Sequence, residues 1–135
     1  MSSPTPYDDA KAIILAANLG VPIQWQNDGS FHEPQPPTLW LSVDCTSHVL
    51  APIELGGGVW QEEGTLYVHV MAKAGSGTDA ARTLAKSVAT LFRGLGPRNV
   101  VYLGGSIGAG VAEDPQGIWW VLTVTVDWRY QDVLA

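Results

Sequence analysis

The chain has 135 residues, a formal net charge of −6, and only 15% charged residues against 46% hydrophobic ones. That length suits a single domain spanning residues 1–135. Seven Lys and Arg residues, nowhere in a run, exclude a phosphate-binding stripe and direct nucleic-acid recognition, and the acidic balance disfavours anionic membranes. Six tryptophans in so weakly charged a chain leave more apolar surface than one small core hides, which points to assembly.

Residues 5–19 read as a helix, with Thr5 as N-cap, Pro6 at the first helical position, and an apolar stripe of Ala10, Ile13, Ile14 and Ala17. MSSPTPYDD at its start lacks the basic and apolar segments of a signal peptide. Ile23 to Gln26 is a short extended piece, and 27–37 is a proline-rich connection. In 38–45, Leu39, Leu41, Val43 and Cys45 alternate with Trp40, Ser42 and Asp44, as in a strand buried on one face. The stretch 51–58, with Pro52 and Gly56-Gly57-Gly58, reads as a flexible loop. A long strand, 59–72, sets Leu66, Val68 and Val70 against Tyr67, His69 and Met71. A second helix, 79–93, has Thr78 as N-cap and buries Ala81, Leu84, Ala85, Val88, Leu91 and Phe92. Strands at 99–107 and 117–130 complete the chain, with a hairpin loop closing around Asp114 to Gly117. Long strands in succession with two helices give an α+β fold: a mostly antiparallel four- to five-stranded sheet with both helices on one face.

No motif carries chemistry. AGSGTDAA opens a helix but lacks the lysine of a phosphate loop, and Asp79 stands where an anion would sit. GGSIGAG misses the dinucleotide spacing, and no helix follows it. His32, His48 and His69 have no metal-ligand spacing. Ser76 and Ser106 lack a nucleophile elbow, and adjacent Glu62 and Glu63 point to opposite faces of a strand. Cys45, the lone cysteine, sits in an apolar strand that raises a thiol pKa, and it cannot form an internal disulfide. No apolar run approaches the ~20 residues that span a bilayer. The expectation is a cytosolic protein with no catalytic residue, cofactor or metal.

Surface chemistry is the remaining signal. Trp119 and Val121 make the last strand apolar on its second face, which calls for cover by a helix or a neighbouring subunit. Arg82, Lys86 and Arg93 form a basic stripe opposite the core face of the second helix. It is either a solvated face or a seam meeting acidic residues such as Glu62 on a neighbour.

In their order and spacing these segments resemble the tail-terminator, or tail-completion, proteins of long-tailed phages and gene transfer agents. The resemblance is carried by VPIQWQNDGSFHEPQPPTLWLSVD, by EEGTLYVHVMAKAGSGTDAARTLAKSVATLFRG, and by the closing GIWWVLTVTVDWRY. It implies a non-enzymatic virion subunit that forms a homo-hexameric ring. Such a ring ends tail-tube polymerisation and joins the tail to the head connector, so the implied partners are further copies, the tube protein and the connector. The sequence departs from the family in Gly56, Gly57 and Gly58 and in the GGSIGAG loop. Rival readings are another neck or tail-tube ring component, or a small α+β ligand-binding or hot-dog-like enzyme domain.

Overall fold

A computed structural model describes residues 4–32, 34, 38–53, 56–95, 99–108 and 118–133, with Val133 described by its backbone alone. The element order is α1 (Pro4–Ala17), β1 (Ile23–Gln24), β2 (Trp40–Pro52), β3 (Val59–Lys73), α2 (Asp79–Leu91), β4 (Val100–Ile107) and β5 (Trp119–Val133). The strands form one sheet in the order β1-β2-β3-β5-β4. Every pairing is antiparallel except β1 with β2, so the sheet is mixed but mostly antiparallel, and the fold is α+β as the sequence implies.

The start of α1 differs from the sequence reading, whereas α2 starts at Asp79 as expected. Helix α1 already begins at Pro4, so Thr5 lies inside the first turn and does not cap it. Pro6 is tolerated there, because first-turn N–H groups have no intrahelical acceptor. Thr78 precedes α2 but makes no side-chain capping hydrogen bond, and its backbone is already helical. The strands also run longer than the alternation indicates. β2 continues through Ala51 and Pro52, pairing with Gln61 and Trp60, so the first two residues of the expected 51–58 loop are strand. Pro52 is acceptable because β2 is a border strand at that point, where a missing N–H costs no ladder bond. Residues 54–55, 96–98 and 109–117 lie outside the described part, including the expected hairpin loop around Asp114.

Period-two burial makes the core. Leu41, Val43 and Cys45 of β2, Leu66, Val68 and Val70 of β3, and Leu122, Val124, Val126 and Trp128 of β5 all face one side. Against them pack Ala10 and Ile14 of α1, and Ala81, Leu84, Ala85, Val88, Ala89 and Phe92 at the 3.6-residue spacing of α2. Where β1 ends, the Gln26 side chain continues the work of a strand, accepting a hydrogen bond from the backbone N–H of Cys45 at 2.9 Å.

The tightest point in the sheet is Gly64. It pairs with Trp128, and a Cβ built there would overlap both the Thr46 carbonyl oxygen and the Trp128 indole. The overlap with backbone cannot be relieved by a rotamer change. We expect Gly64→Ala to lower unfolding stability by about 1–3 kcal/mol, the usual range for overpacking. Gly29→Ala meets nothing within 4 Å and should stay within about 0.5 kcal/mol of the parent. Urea denaturation of both variants checks this, and equal midpoints would refute the close packing.

Candidate functional site

The described residues hold no group of three or more His, Cys, Asp and Glu able to bind a metal. Among them, no helix is long and apolar enough to cross a membrane. Chemistry on the surface is concentrated in four places: the back of α2, the outer sheet face, the β2–β3 hairpin and the border strand β4.

On α2, Arg82 and Lys86 are exposed and flank a shallow groove with Thr83, Ser87 and Thr90. The three hydroxyls are turned back onto the helix. Thr83 donates to the Asp79 carbonyl at 2.9 Å, Ser87 to that of Thr83 at 3.1 Å, and Thr90 to that of Lys86 at 2.8 Å. Bonds of this kind hold short side chains against the backbone. The result is a low-relief strip beside two exposed cations. Arg93 does not join it. Helix α2 ends at Leu91, and the Arg93 guanidinium donates to the Gly105 carbonyl of β4 at 3.1 Å.

Glu62, the expected acidic partner of that stripe, is fully buried on the helix-covered side of the sheet. A strand-paired position decides this: Glu62 lies opposite Tyr130, two residues beyond the Gly64–Trp128 pair on the same face. Exposed negative charge is carried instead by residues such as Asp8, Asp79 and Asp127.

Around Trp40, Trp119 and Val121 the outer face is covered within the chain itself. Trp119 and Val121 are each 2% exposed and Trp40 4%. Trp40 meets Trp119 edge-on with centroids 5.7 Å apart, and Phe31 packs against Trp40 at 4.8 Å. The Trp119 ring is shielded within the chain by Trp40, which is in turn packed against Phe31. Alternation revealed the need for cover, but Phe31 lies in irregular backbone and leaves no periodic trace.

Farther along that face is a row no sequence spacing announced. His69 of β3 shares a 2.9 Å hydrogen bond between Nδ1 and Thr123 Oγ1, and its Nε2 lies 3.4 Å from Asp44 Oδ2. Tyr67 stacks parallel to the imidazole at 6.3 Å. The register creates the row, since Ser42, His69 and Thr123 lie side by side and Asp44 is the diagonal neighbour. Acid, imidazole and hydroxyl in sequence can activate a nucleophile. Here Thr123 stands mid-strand between Leu122 and Val124 rather than on a turn that would present it to a substrate, and the row ties three strands together.

The hairpin end and β4 carry most of the exposed large apolar side chains among the described residues. Val49, Leu50 and Ile53 are 42–49% exposed, and on β4 Val101 is 45% and Leu103 55% exposed. Gly56, Gly57 and Gly58 complete the hairpin, where the Trp60 indole N–H donates to the Gly57 carbonyl and the Ile53 N–H to the Val59 carbonyl, both at 3.0 Å.

Comparison with known proteins was made on both sequence and fold. A family model described as phage tail terminator protein matches residues 10–128. One solved structure superposes with a TM-score of 0.61 at 18% identity, covering 93% of this chain and 98% of its own; at that identity the likeness establishes fold alone. Among curated proteins, none matches the sequence.

Cys45, the only thiol, is 3% exposed on the core face of β2. Burial, with the nearby Glu62 charge adding to it, raises its pKa from 9.0 to about 11. The folded state therefore favours the protonated thiol. The stability this contributes is complete below about pH 9 and declines as pH rises towards 11, because the unfolded chain ionises first. We expect Cys45→Ala to lose less stability than the parent between those two pH values, by up to about 1.4 kcal/mol per pH unit. Denaturant titrations across that range test it, and parallel pH profiles would contradict it.

Proposed function

The chain belongs to the phage tail terminator family, and from that premise we propose that it closes into a hexameric ring that caps the tail tube. In this reading the ring ends tube polymerisation and gives the head connector its docking platform. The subunit assembles in the host cytoplasm and acts by fitting its partners, without catalysis. A structural role in the phage tail follows from membership itself; the ring, the cap and the two partners are the proposal. The family match, which runs over most of the chain, is the observation that carries it.

The surface supports this reading. A subunit that must meet copies of itself, a tube and a connector needs contact faces that are stable alone yet lightly charged. The back of α2 is such a face, with its hydroxyls satisfied internally and two cations standing beside them. The Gly56–Gly58 turn and its exposed apolar hairpin offer a second one. Arg93, held on β4, is a less direct contributor to a seam than Arg82 and Lys86.

Electrostatics makes the α2 face testable. Reversing surface charges away from packing shifts stability by no more than about 0.5 kcal/mol. A seam pair worth about 0.5 kcal/mol acts at every interface of a ring. Arg82→Glu with Lys86→Glu should therefore leave the melting temperature of the monomer nearly unchanged while weakening rings or tail capping, most strongly at low salt. Sedimentation at two salt concentrations, beside thermal melts and electron microscopy of tail length, provides the measurement. Normal rings and tails of normal length from the double variant would leave the α2 stripe as a solvated face.

A further inference from the structure

Three of the cations in the described residues are engaged within the chain. Lys11 stands over the Trp25 ring, the Arg93 guanidinium donates to the Gly105 carbonyl, and Arg129 pairs with Glu63 at 3.3 Å. Arg82 and Lys86 are different: they stand together on the exposed back of α2, and no ion pair joins them among the described residues. The one carboxylate of that helix, Asp79, lies in its first turn, where it complements the positive helix end.

On the other side of the sheet, away from both helices, the outward side chains make a polar face. Asp44, Tyr67 and Thr125 lie abreast on β2, β3 and β5, with Ser42, His69 and Thr123 in one adjoining row and Thr65 and Asp127 in the other. Hydrogen bonds within the face satisfy its hydroxyls. Thr123 is bonded to His69 at 2.9 Å, Thr65 donates to Asp127 at 3.0 Å, and Thr46 to the Thr65 carbonyl at 3.3 Å. Asp44 is half exposed and Asp127 exposed, and among the described residues neither pairs with Lys or Arg. Two cations share this face, and neither cancels those carboxylates. Arg129 is balanced by Glu63. Lys73 lies along β3 from Tyr67, the neighbour of Asp44, at a distance of ~20 Å set by the strand rise. That exceeds the screening length of ~8 Å at physiological salt.

We infer that the back of α2 in one copy docks on the outer sheet face of the next, with Arg82 and Lys86 set against Asp44 and Asp127. The occupant is a second copy of this chain, because each surface supplies the charge that the other lacks. Helix α2 packs on the core side of the sheet, so the two surfaces lie on opposite sides of one subunit. Contact between like surfaces is disfavoured by the same charges: α2 on α2 would oppose cations, and sheet on sheet would oppose carboxylates. What remains is a head-to-tail contact, which closes into a ring when its rotation divides a full turn. Covering these surfaces strands few polar groups, since the hydroxyls of both are already bonded within the helix or the sheet. This inference rests on the ring reading and names the surface that α2 meets.

A charge swap tests it: Arg82→Glu/Lys86→Glu on the helix, and Asp44→Lys/Asp127→Lys on the sheet. Each alone should sediment at the single-chain mass of 14.4 kDa under conditions where the parent runs as a ring. Mixed in equal amounts, or combined in one chain, they should form rings again, because glutamate then meets lysine across the contact. Asp44 and Asp127 also contact His69 and Thr65, so Asp44→Asn/Asp127→Asn is measured beside them. It should keep the parent's melt and raise the concentration needed for rings by about tenfold at low salt, as two lost pairs would. Parent-like rings from either sheet variant, or folded swap variants that fail to recover together, would overturn the contact while leaving the parent's ring intact. Normal rings from the helix variant with uncapped tails would overturn it too, giving α2 to the tube or connector. A parent that remains monomeric at every concentration would overturn the ring reading and the contact with it.

Discussion

The Gly64–Trp128 contact is the constraint on which the rest of the sheet depends. β3 is the central strand, and at Gly64 it has no side chain on its core face, so the Trp128 indole from β5 fills that space up to the Thr46 carbonyl of β2. Three strands are thus locked in register by one ring. A slip of a single residue would turn every core side chain to the wrong face. Above this level the core face is aliphatic, with Leu66, Val68, Val70, Val124 and Val126; below it Tyr130 and the buried Glu62 take over. Phe92 and Tyr102 pack together at 4.9 Å, and the Tyr102 hydroxyl donates to Asp9 at 2.7 Å, which fastens α1 to the far border.

That face is filled by two helices, and the other is shielded only locally, where Phe31, Trp40 and Trp119 pack together. Exposed apolar side chains lie on the border strand β4 and the hairpin, and exposed cations on the back of α2. Weak charge suits such surfaces. A buried ion pair must recover the desolvation of both partners, whereas apolar edges and internally bonded hydroxyls approach a neighbour at little cost. The scarcity of cations in this chain is therefore consistent with a tail component whose surfaces are meant to be covered.

Part of this was legible in the residues alone. Alternation located β2, β3, β4 and β5, and the 3.6-residue spacing located both helices, because burial on one face imposes those periods directly on the sequence. The same signal placed Cys45 in the core and showed that Trp119 and Val121 required cover. The segment order was also enough to indicate the family. What alternation could not give was the length of β2 beyond Cys45, since Val49 to Pro52 are exposed on a border and lose the pattern that burial enforces.

Tertiary structure decided the rest. Thr5 and Thr78 have the right residue type for caps, yet Thr5 falls inside the first turn of α1, and Thr78, although it stands at the N-cap of α2, makes no side-chain capping hydrogen bond. Glu62 reads as a surface acid beside Glu63, but its register opposite Tyr130 withdraws it completely. Arg93 shares a helical spacing with Arg82 and Lys86, but the helix stops before it and β4 claims its guanidinium. The Asp44–His69–Thr123 row joins residues from three strands, which only the pairing register brings together. The sequence by itself determined which residues need an inside, because hydrophobic burial acts on each side chain through a local period. Which residues meet one another, and which remain for a partner, depends on pairings between distant segments that no local period encodes.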